Sequence, residues 1–394
     1  MKKWQTTLLF ILCLTLLTGC WNKRELNDLG VAVAVGIDKT EDENFKIIVQ
    51  LINPGEVATQ TPTTRPPVST YEIEGESVFE AFRKLTIKSP RKIYLSQLRL
   101  IVLGEKLAEE GIQETLDFLY RDHEMRTSFF LMVAKDEQME DILNVLTSFE
   151  KIPANKVLYS LQASETNWAP TKGVNLDDVV SAIMSKGSEP VLTGIYISGV
   201  TDGSDITNVQ RVNAPTQLTI DNLAIFKNDE LVGWLSEDES KGYNYVKGNV
   251  HSTIVTVPCH KDNGIISVEM IRTAAESTAI LKDNKPFIKV KITGEGNVGD
   301  VECKIDLTKD KTLKAIEKKV NNDIKDKINA ALKTAQQDYK SDIFGFGEEV
   351  RRSEPKYWHK VEDNWSNIFA EMEVEVDVEI KIRRTGTIIR SIEQ

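Results

Sequence analysis

The sequence predicts a mixed α/β, multi-domain protein with mostly antiparallel sheets and a long helix packed on its C-terminal sheet. Three observations predict it. From Thr308 to Tyr339, apolar residues recur every three or four positions (Leu313, Ile316, Val320, Ile324, Ile328, Leu332, Ala335, Tyr339) with Lys, Asp, Asn and Gln between them. That is a helix with one dry face. The stretch "EMEVEVDVEIKI" alternates, placing Met372, Val374, Val376, Val378, Ile380 and Ile382 on one side and charges on the other, as a half-buried strand does. A long helix laid across an antiparallel sheet satisfies both patterns. From Gly30 to Gly199, shorter strand and helix patterns alternate loosely, which makes the class mixed.

The elements follow in order. "GVAVAVGID" and "FKIIVQLI" read as strands joined by a polar turn. Asn53 to Thr70, rich in Pro and Thr, reads as a surface loop. "YEIEG" is a short strand. Ser77 and Glu80 have capping-box spacing, and Val78, Phe82 and Leu85 form a helical stripe behind them. "KIYLSQLRLIVLG" reads as one strand, "GIQETLDFLYRD" as a helix and "TSFFLMVAK" as a strand. Helices are expected near 137–147, at "NKVLYSLQ" and at "NLDDVVSAIMSK". Strand "PVLTGIYISG" closes this part.

Val200 to Thr216 is polar and punctuated by Gly and Pro, so it reads as the main boundary, a linker after an N-terminal α/β domain of residues 20–199. "QLTIDNLAIFKNDELVGWL" then reads as a hairpin turning at Asn228-Asp229. Ser236 and Glu239 form a capping box for a short helix that Gly248 ends. Strands "VHSTIVTVP", "GIISVEMIRTAAESTAILK" and "PFIKVKITGEG" precede the long helix of 308–340.

The bulk numbers set limits. At 394 residues the chain has room for two or three domains, and at 41% apolar and 28% charged it can build cores. A net charge of −11 excludes a nucleic-acid binder, which shows a basic face, and adsorption to anionic lipid by charge alone. Of four cysteines, Cys13 and Cys20 fall in or at the end of the leader. Cys259 and Cys303 fit either a bridge in an oxidising compartment or two buried thiols.

The leader carries the sharpest chemistry. Lys2 and Lys3 precede an apolar core, Leu8 to Leu17, which is half the length a membrane span needs. Leu17-Thr18-Gly19-Cys20 then resembles a bacterial lipobox, in which the cysteine thiol takes a diacylglycerol before cleavage. Residues 1–19 are thereby expected to be a signal peptide, and Cys20 the lipidated first residue of an extracytoplasmic protein. Two acyl chains hold a protein stably on a bilayer where one does not. Loss of Lys2 and Lys3 with the leader takes the net charge from −11 to −13.

Other motifs fail on context. Gly294 to Gly299 spells GxGxxG, but "VECKIDL" after it reads as a strand where a dinucleotide site needs a helix, so a turn is expected. Ser89 to Lys92 and Ser353 to Lys356 spell SxxK with a helix-breaking Pro inside, and no Ser-Asp-Asn or Lys-Thr-Gly accompanies them. Among the four histidines, His123, His251, His260 and His359, only His260 adjoins a cysteine, and neighbours on a strand face opposite ways. Acid pairs such as Asp177-Asp178 read as helix-start charges. No catalytic, cofactor or metal residues are assigned, and an enzyme is not expected.

Four segments in order carry a family resemblance: "CWNKRELNDLGVAVAVGID", "RKIYLSQLRLIVLGEKLAEEGIQETLDFLYRDHEMR" with its Arg121-Asp122-x-Glu124-x-Arg126 run, "LAIFKNDELVGWLSEDESKGYNYVKG", and "DIFGFGEEVRRSEPKYWHKVEDNW". Together they resemble the C-subunit lipoproteins of bacterial spore germinant receptors, the Ger(x)C family. The resemblance implies three α/β domains, splitting the second part near "HSTIVTVP" into a middle domain, 217–257, and a C-terminal one, 258–394. It implies a non-catalytic subunit on the outer face of the spore inner membrane, without cofactor. The partners implied are two integral-membrane subunits, one of them permease-like, in a nutrient-sensing receptor; nutrient contact is direct or indirect. A free-standing solute-binding lipoprotein is the alternative.

The same segments have packing readings. Gly233-Trp234 can pack a hairpin, Asp342 to Gly347 can form a helix C-cap with buried Phe residues, and Arg121-Asp122 can be an internal ion pair. Trp358 and Trp365, seven apart, share a face if they lie on one helix.

Overall fold

The computed structural model describes residues 4–5, 28–58, 65–199, 202–259 and 264–384. Cys20, His260, part of the 53–70 loop and the first two residues of the 200–216 linker lie outside them. Two mixed sheets organise the rest, so the mixed α/β class and the long C-terminal helix stand.

The larger sheet runs β3-β2-β1-β5-β6-β7-β8-β9, with β4 also pairing β1. Its strands are β1 (Leu29–Lys39), β2 (Phe45–Ile52), β3 (Val68–Gly75), β4 (Lys92–Tyr94), β5 (Leu100–Leu103), β6 (Phe130–Ala134), β7 (Val191–Gly199), β8 (Thr216–Lys227) and β9 (Glu230–Trp234). The centre, β1-β5-β6-β7, is parallel and the flanks are antiparallel. Near-continuous apolar runs explain the parallel centre. "LIVL" of β5 is buried at every position, as a strand covered on both faces must be.

The helices of this half are α1 (Pro54–Ala58), α2 (Val78–Lys88), α3 (Glu105–Glu110), α4 (Gln113–Arg121), α5 (Met139–Asn144), α6 (Pro153–Asn167) and α7 (Leu176–Met184). Leu85 of α2, Leu116 of α4 and Val179 of α7 join the core on one face of the sheet. Met139 and Ile142 of α5 and Val157 of α6 join that on the other.

The single strand expected over "KIYLSQLRLIVLG" is two. β1 pairs Val31 with Tyr94 and then Ala34 with Leu100, so the partner chain has residues to spare. The surplus loops out at Leu95 to Arg99, with Leu95 and Leu98 still buried. The 200–216 segment joins β7 to β8, antiparallel neighbours in one sheet, and the β8–β9 hairpin completes that sheet. Asn228, at φ 55°, turns the hairpin.

The smaller sheet runs β10-β11-β12-β13: β10 (Thr253–Pro258), β11 (Ile265–Lys282), β12 (Lys285–Val301) and β13 (Glu373–Arg384). The alternating "EVEVDVEIKIRR" of β13 runs parallel to β12 and buries Val376, Val378 and Ile380. The GxGxxG stretch is no turn; it is extended inside β12, between β11 and β13. A side chain at Gly294 would press on the Arg272 carbonyl at 2.8 Å.

The remaining helices are α8 (Glu237–Lys247), α9 (Asp310–Lys333), α10 (Phe346–Ser353), α11 (Pro355–Val361) and α12 (Trp365–Glu371). α9 buries Ile316, Val320, Ile324, Ile328 and Leu332. It continues through a π turn, Thr334–Tyr339, before Lys340 breaks it at φ 50°. The Ser236–Glu239 capping box and the left-handed Gly248 bound α8 as the sequence predicts. At α2 the box is altered: Ser77 accepts from Glu80 N–H, but the Glu80 carboxylate accepts from Glu76 N–H. Cys259 and Cys303 form a disulfide with 6.4 Å between Cα atoms, tying the end of β10 to the segment after β12.

One apolar cluster joins the halves. Val191, Leu223 and Ile225 of the larger sheet pack with Tyr243, Phe344, Trp358 and the α9 face.

Candidate functional site

Where the halves meet, the "SDIFGFGEE" segment lies against the loop from Ser185 to Pro190. Backbone bonds stitch the two: Glu189 N–H donates to Asp342 O at 2.9 Å and Glu348 N–H to Gly187 O at 3.3 Å. Ser341 Oγ donates to Phe226 O at 2.6 Å, Lys247 Nζ to Phe344 O at 3.0 Å, and Ser185 Oγ to Glu348 Oε1 at 2.7 Å. The chains approach this closely because both contacting residues lack side chains. A Cβ on Gly347 would lie 2.5 Å from Gly187 Cα.

Asp342 organises the turn. Its carboxylate accepts from the N–H groups of Gly345 (2.9 Å), Phe346 (3.1 Å) and Gly347 (2.8 Å), and from Trp365 Nε1 (2.8 Å). The segment therefore starts α10 instead of ending the helix before it, correcting the C-cap reading. Three orphan donors of a helix N-terminus are satisfied by one side chain. Burial pushes the Asp342 carboxyl up to about 6, even though these donors pull it down. Gly345 sits at φ 74°, where glycine is favoured. Phe344 and Phe346 stack at 5.2 Å in the core. Trp358 and Trp365 lie on separate helices and meet edge to face at 5.2 Å, both buried, so they are core.

Beside this turn opens a cavity of about 760 Å³ whose wall includes Lys172, Asp178, Glu189, Tyr243, Lys247 and Glu348. Burial raises the Glu189 carboxyl to about 7, against the Asn228 N–H that donates to it and with the Asp342 charge adding to the effect. Tyr243, whose hydroxyl lies 3.3 Å from Lys172 Nζ, holds that ammonium above the ordinary lysine range against burial. The wall is of mixed sign and suits a polar or zwitterionic guest. Sequence reasoning missed Lys172, Glu189 and Gly187. The only local signal, the Gly187 and Pro190 punctuation, marks a loop and not its partner.

A second groove, about 560 Å³, lies between α2 and α4, lined by Phe79, Phe82, Arg83, Phe118, Arg121 and Glu124 among others. Here the Arg121-Asp122 ion pair gives way to Arg121 with Asp117, 2.8 Å, one helical turn back. Asp122 Oδ1 accepts from Glu124 N–H, and Glu124 pairs with Lys92.

The other candidates are packing. Trp234 donates to Glu105 at 3.2 Å and lies under Lys135, while Tyr339 occupies the space beside Gly233. Ser89 Oγ donates to Arg91 O and Ser353 Oγ to Glu349 O. Among the described residues no three His, Cys, Asp or Glu side chains are grouped to hold a metal, and no helix is long and apolar enough to cross a membrane.

The architecture is that of a two-sheet α/β protein with a buried, glycine-lined seam between its halves. Residues 22–197 match the family described as "Spore germination protein N-terminal domain", and residues 221–386 match "Spore germination B3/ GerAC like, C-terminal". The chain is 35% identical to spore germination protein KC of Bacillus subtilis (strain 168), over 98% of this chain and 96% of that one. It is 24% identical to spore germination protein B3 of the same organism, over 94% and 95%. The crystal structure of the GerBC protein superposes with a TM-score of 0.55 at 20% identity, covering 88% of this chain and 96% of that one, and so shares the fold. The chain belongs to the Ger(x)C family of spore germination proteins.

Proposed function

We propose that this chain is the lipid-anchored, non-catalytic C subunit of a nutrient-sensing spore germinant receptor. It sits on the outer face of the spore inner membrane, held by acyl chains on Cys20. Its partners are two integral-membrane subunits, one permease-like. The observation that carries this reading is the end-to-end likeness to spore germination protein KC, which spans 98% of the chain. The lipobox-like Leu17 to Cys20 supplies the anchor in the same reading. Two assays test it. Cys20→Ala abolishes labelling by a palmitate analogue and releases the chain from membranes. Gently solubilised membranes yield the chain with two polytopic proteins. Unchanged labelling in Cys20→Ala, or a chain that purifies alone, sinks the proposal.

One observation favours a second reading, a free-standing solute-binding lipoprotein: the cavity lies between the two halves, where ligand clefts form. Calorimetric titration of the purified chain with amino acids and sugars separates the two. Tight binding by the isolated chain supports the solute binder; no heat supports the subunit.

A further inference from the structure

We propose that the outer face of α2, with the β4 strand that follows it, is a membrane-docking surface for anionic lipid. This rests on the Cys20 anchor above. The helix buries Val78, Ala81 and Leu85 inward, yet its outer stripe is not simply polar. Phe79 is 52% exposed and Ile87 82% exposed, with Arg83 between them at the same helical spacing. Arg83 lies over the Phe79 ring, 5.1 Å from its centre.

Along this stretch of chain the charge opposes that of the whole molecule, although Glu114, Asp117, Asp122 and Glu124 line the groove on its α4 side. Residues 79–92 hold five basic residues, Arg83, Lys84, Lys88, Arg91 and Lys92, against one acid, Glu80, in a chain of net −11. Lys84 pairs with Glu80 and Lys92 with Glu124, while Arg83, Lys88 and Arg91 stand exposed. Exposed aromatic and aliphatic side chains set among Lys and Arg fit the boundary between headgroups and acyl chains.

Chain connectivity places this face near the bilayer. Leu29 pairs with Lys92 and Gly30 with Ile93, so the chain enters the fold beside the end of the basic stretch. Arg91 Cβ lies 3.7 Å from where a Gly30 side chain would begin. Only Trp21 to Asn27 separate the acylated residue from the described chain. Whatever their conformation, those residues span at most roughly 28 Å. Net charge forbids adsorption by charge alone, but a tethered protein needs only a local patch. Each Lys or Arg near an anionic surface favours contact roughly fivefold.

The test uses the full acylated chain reconstituted into vesicles. With Cys20 as a thioether and Cys259 bridged to Cys303, a single new cysteine is the one thiol to label. Fluorophores are placed by Ile87→Cys and, as a distant control, by Asp283→Cys at the β11–β12 turn. Brominated acyl chains should quench the residue-87 reporter in phosphatidylglycerol-containing vesicles and leave the residue-283 reporter unquenched. Adding Arg83→Glu, Lys88→Glu and Arg91→Glu should cut quenching at 87 several-fold with unchanged thermal unfolding. The neutral triple Ala variant should fall between. Flotation reads the anchor separately: Cys20→Ala that still floats overturns the anchor reading. A chain that floats with an unquenched reporter at 87 overturns the docking face alone. So does equal quenching in pure phosphatidylcholine, or protection at 87 that appears only when a protein partner is added.

Discussion

At the scale of single residues, the seam concentrates unusual energetics in two acids. Asp342 carries three helix-start donors and an indole N–H on one carboxylate. Asp342→Asn keeps one acceptor oxygen but turns an amide toward donors. It should cost about 2–3 kcal/mol, and Asp342→Ala more, since buried donors without partners cost about 1–3 kcal/mol each. Urea unfolding at pH 7.5 measures both. Glu189 titrates at about 7 in the folded chain against 4.5 for a free glutamate. Between those values the folded chain holds more protons than the unfolded one. Its contribution is therefore full below about pH 4.5 and is lost as pH rises through 7. The loss is on the order of 3 kcal/mol. Glu189→Gln should flatten the fall in stability between pH 5 and 7.5. An unchanged slope would place the titration elsewhere.

At the scale of elements, the disulfide and the helix pair make separate predictions. The Cys259–Cys303 bridge closes a loop with a sequence separation of 44, worth about 4 kcal/mol in chain entropy. Cys303→Ser should cost about 2–4 kcal/mol in urea, matched by reductant acting on the parent chain. α8 meets α9 at Gly242, where a side chain would collide with the Lys327 carbonyl. Gly242→Val should destabilise by about 3 kcal/mol or more, measured by thermal unfolding. The dry face of α9 and the alternation of β13 were legible because each has one buried side and a strict period. Both capped ends of α8 were legible because Ser236, Glu239 and Gly248 act locally. The break between β4 and β5 was not, because it answers to the register of β1, far off in sequence. Nor was the extended Gly294 to Gly299, whose glycines serve neighbouring strands. The Asp342 turn was half legible. Its glycines and phenylalanines signalled a buried turn, but its partners, Gly187, Glu189 and Trp365, lie in segments that only folding brings together.

At the scale of the whole molecule, the question is whether the two sheets unfold as one body. The shared cluster of Val191, Ile225, Tyr243, Phe344 and Trp358 argues that they do, because neither half buries those side chains without the other. The backbone contact of Gly187 with Gly347 holds the cluster closed. Bulk there should separate the halves without touching either sheet. Gly187→Val is the direct test, made in a background with the other tryptophans replaced by Phe so that emission follows Trp358 and Trp365 at the seam, and read by that emission and by far-ultraviolet circular dichroism. In the parent chain the two urea transitions should coincide. In the variant the tryptophan transition should move to lower urea and precede loss of secondary structure. Coincident transitions in the variant would mean that the seam is not what couples the halves.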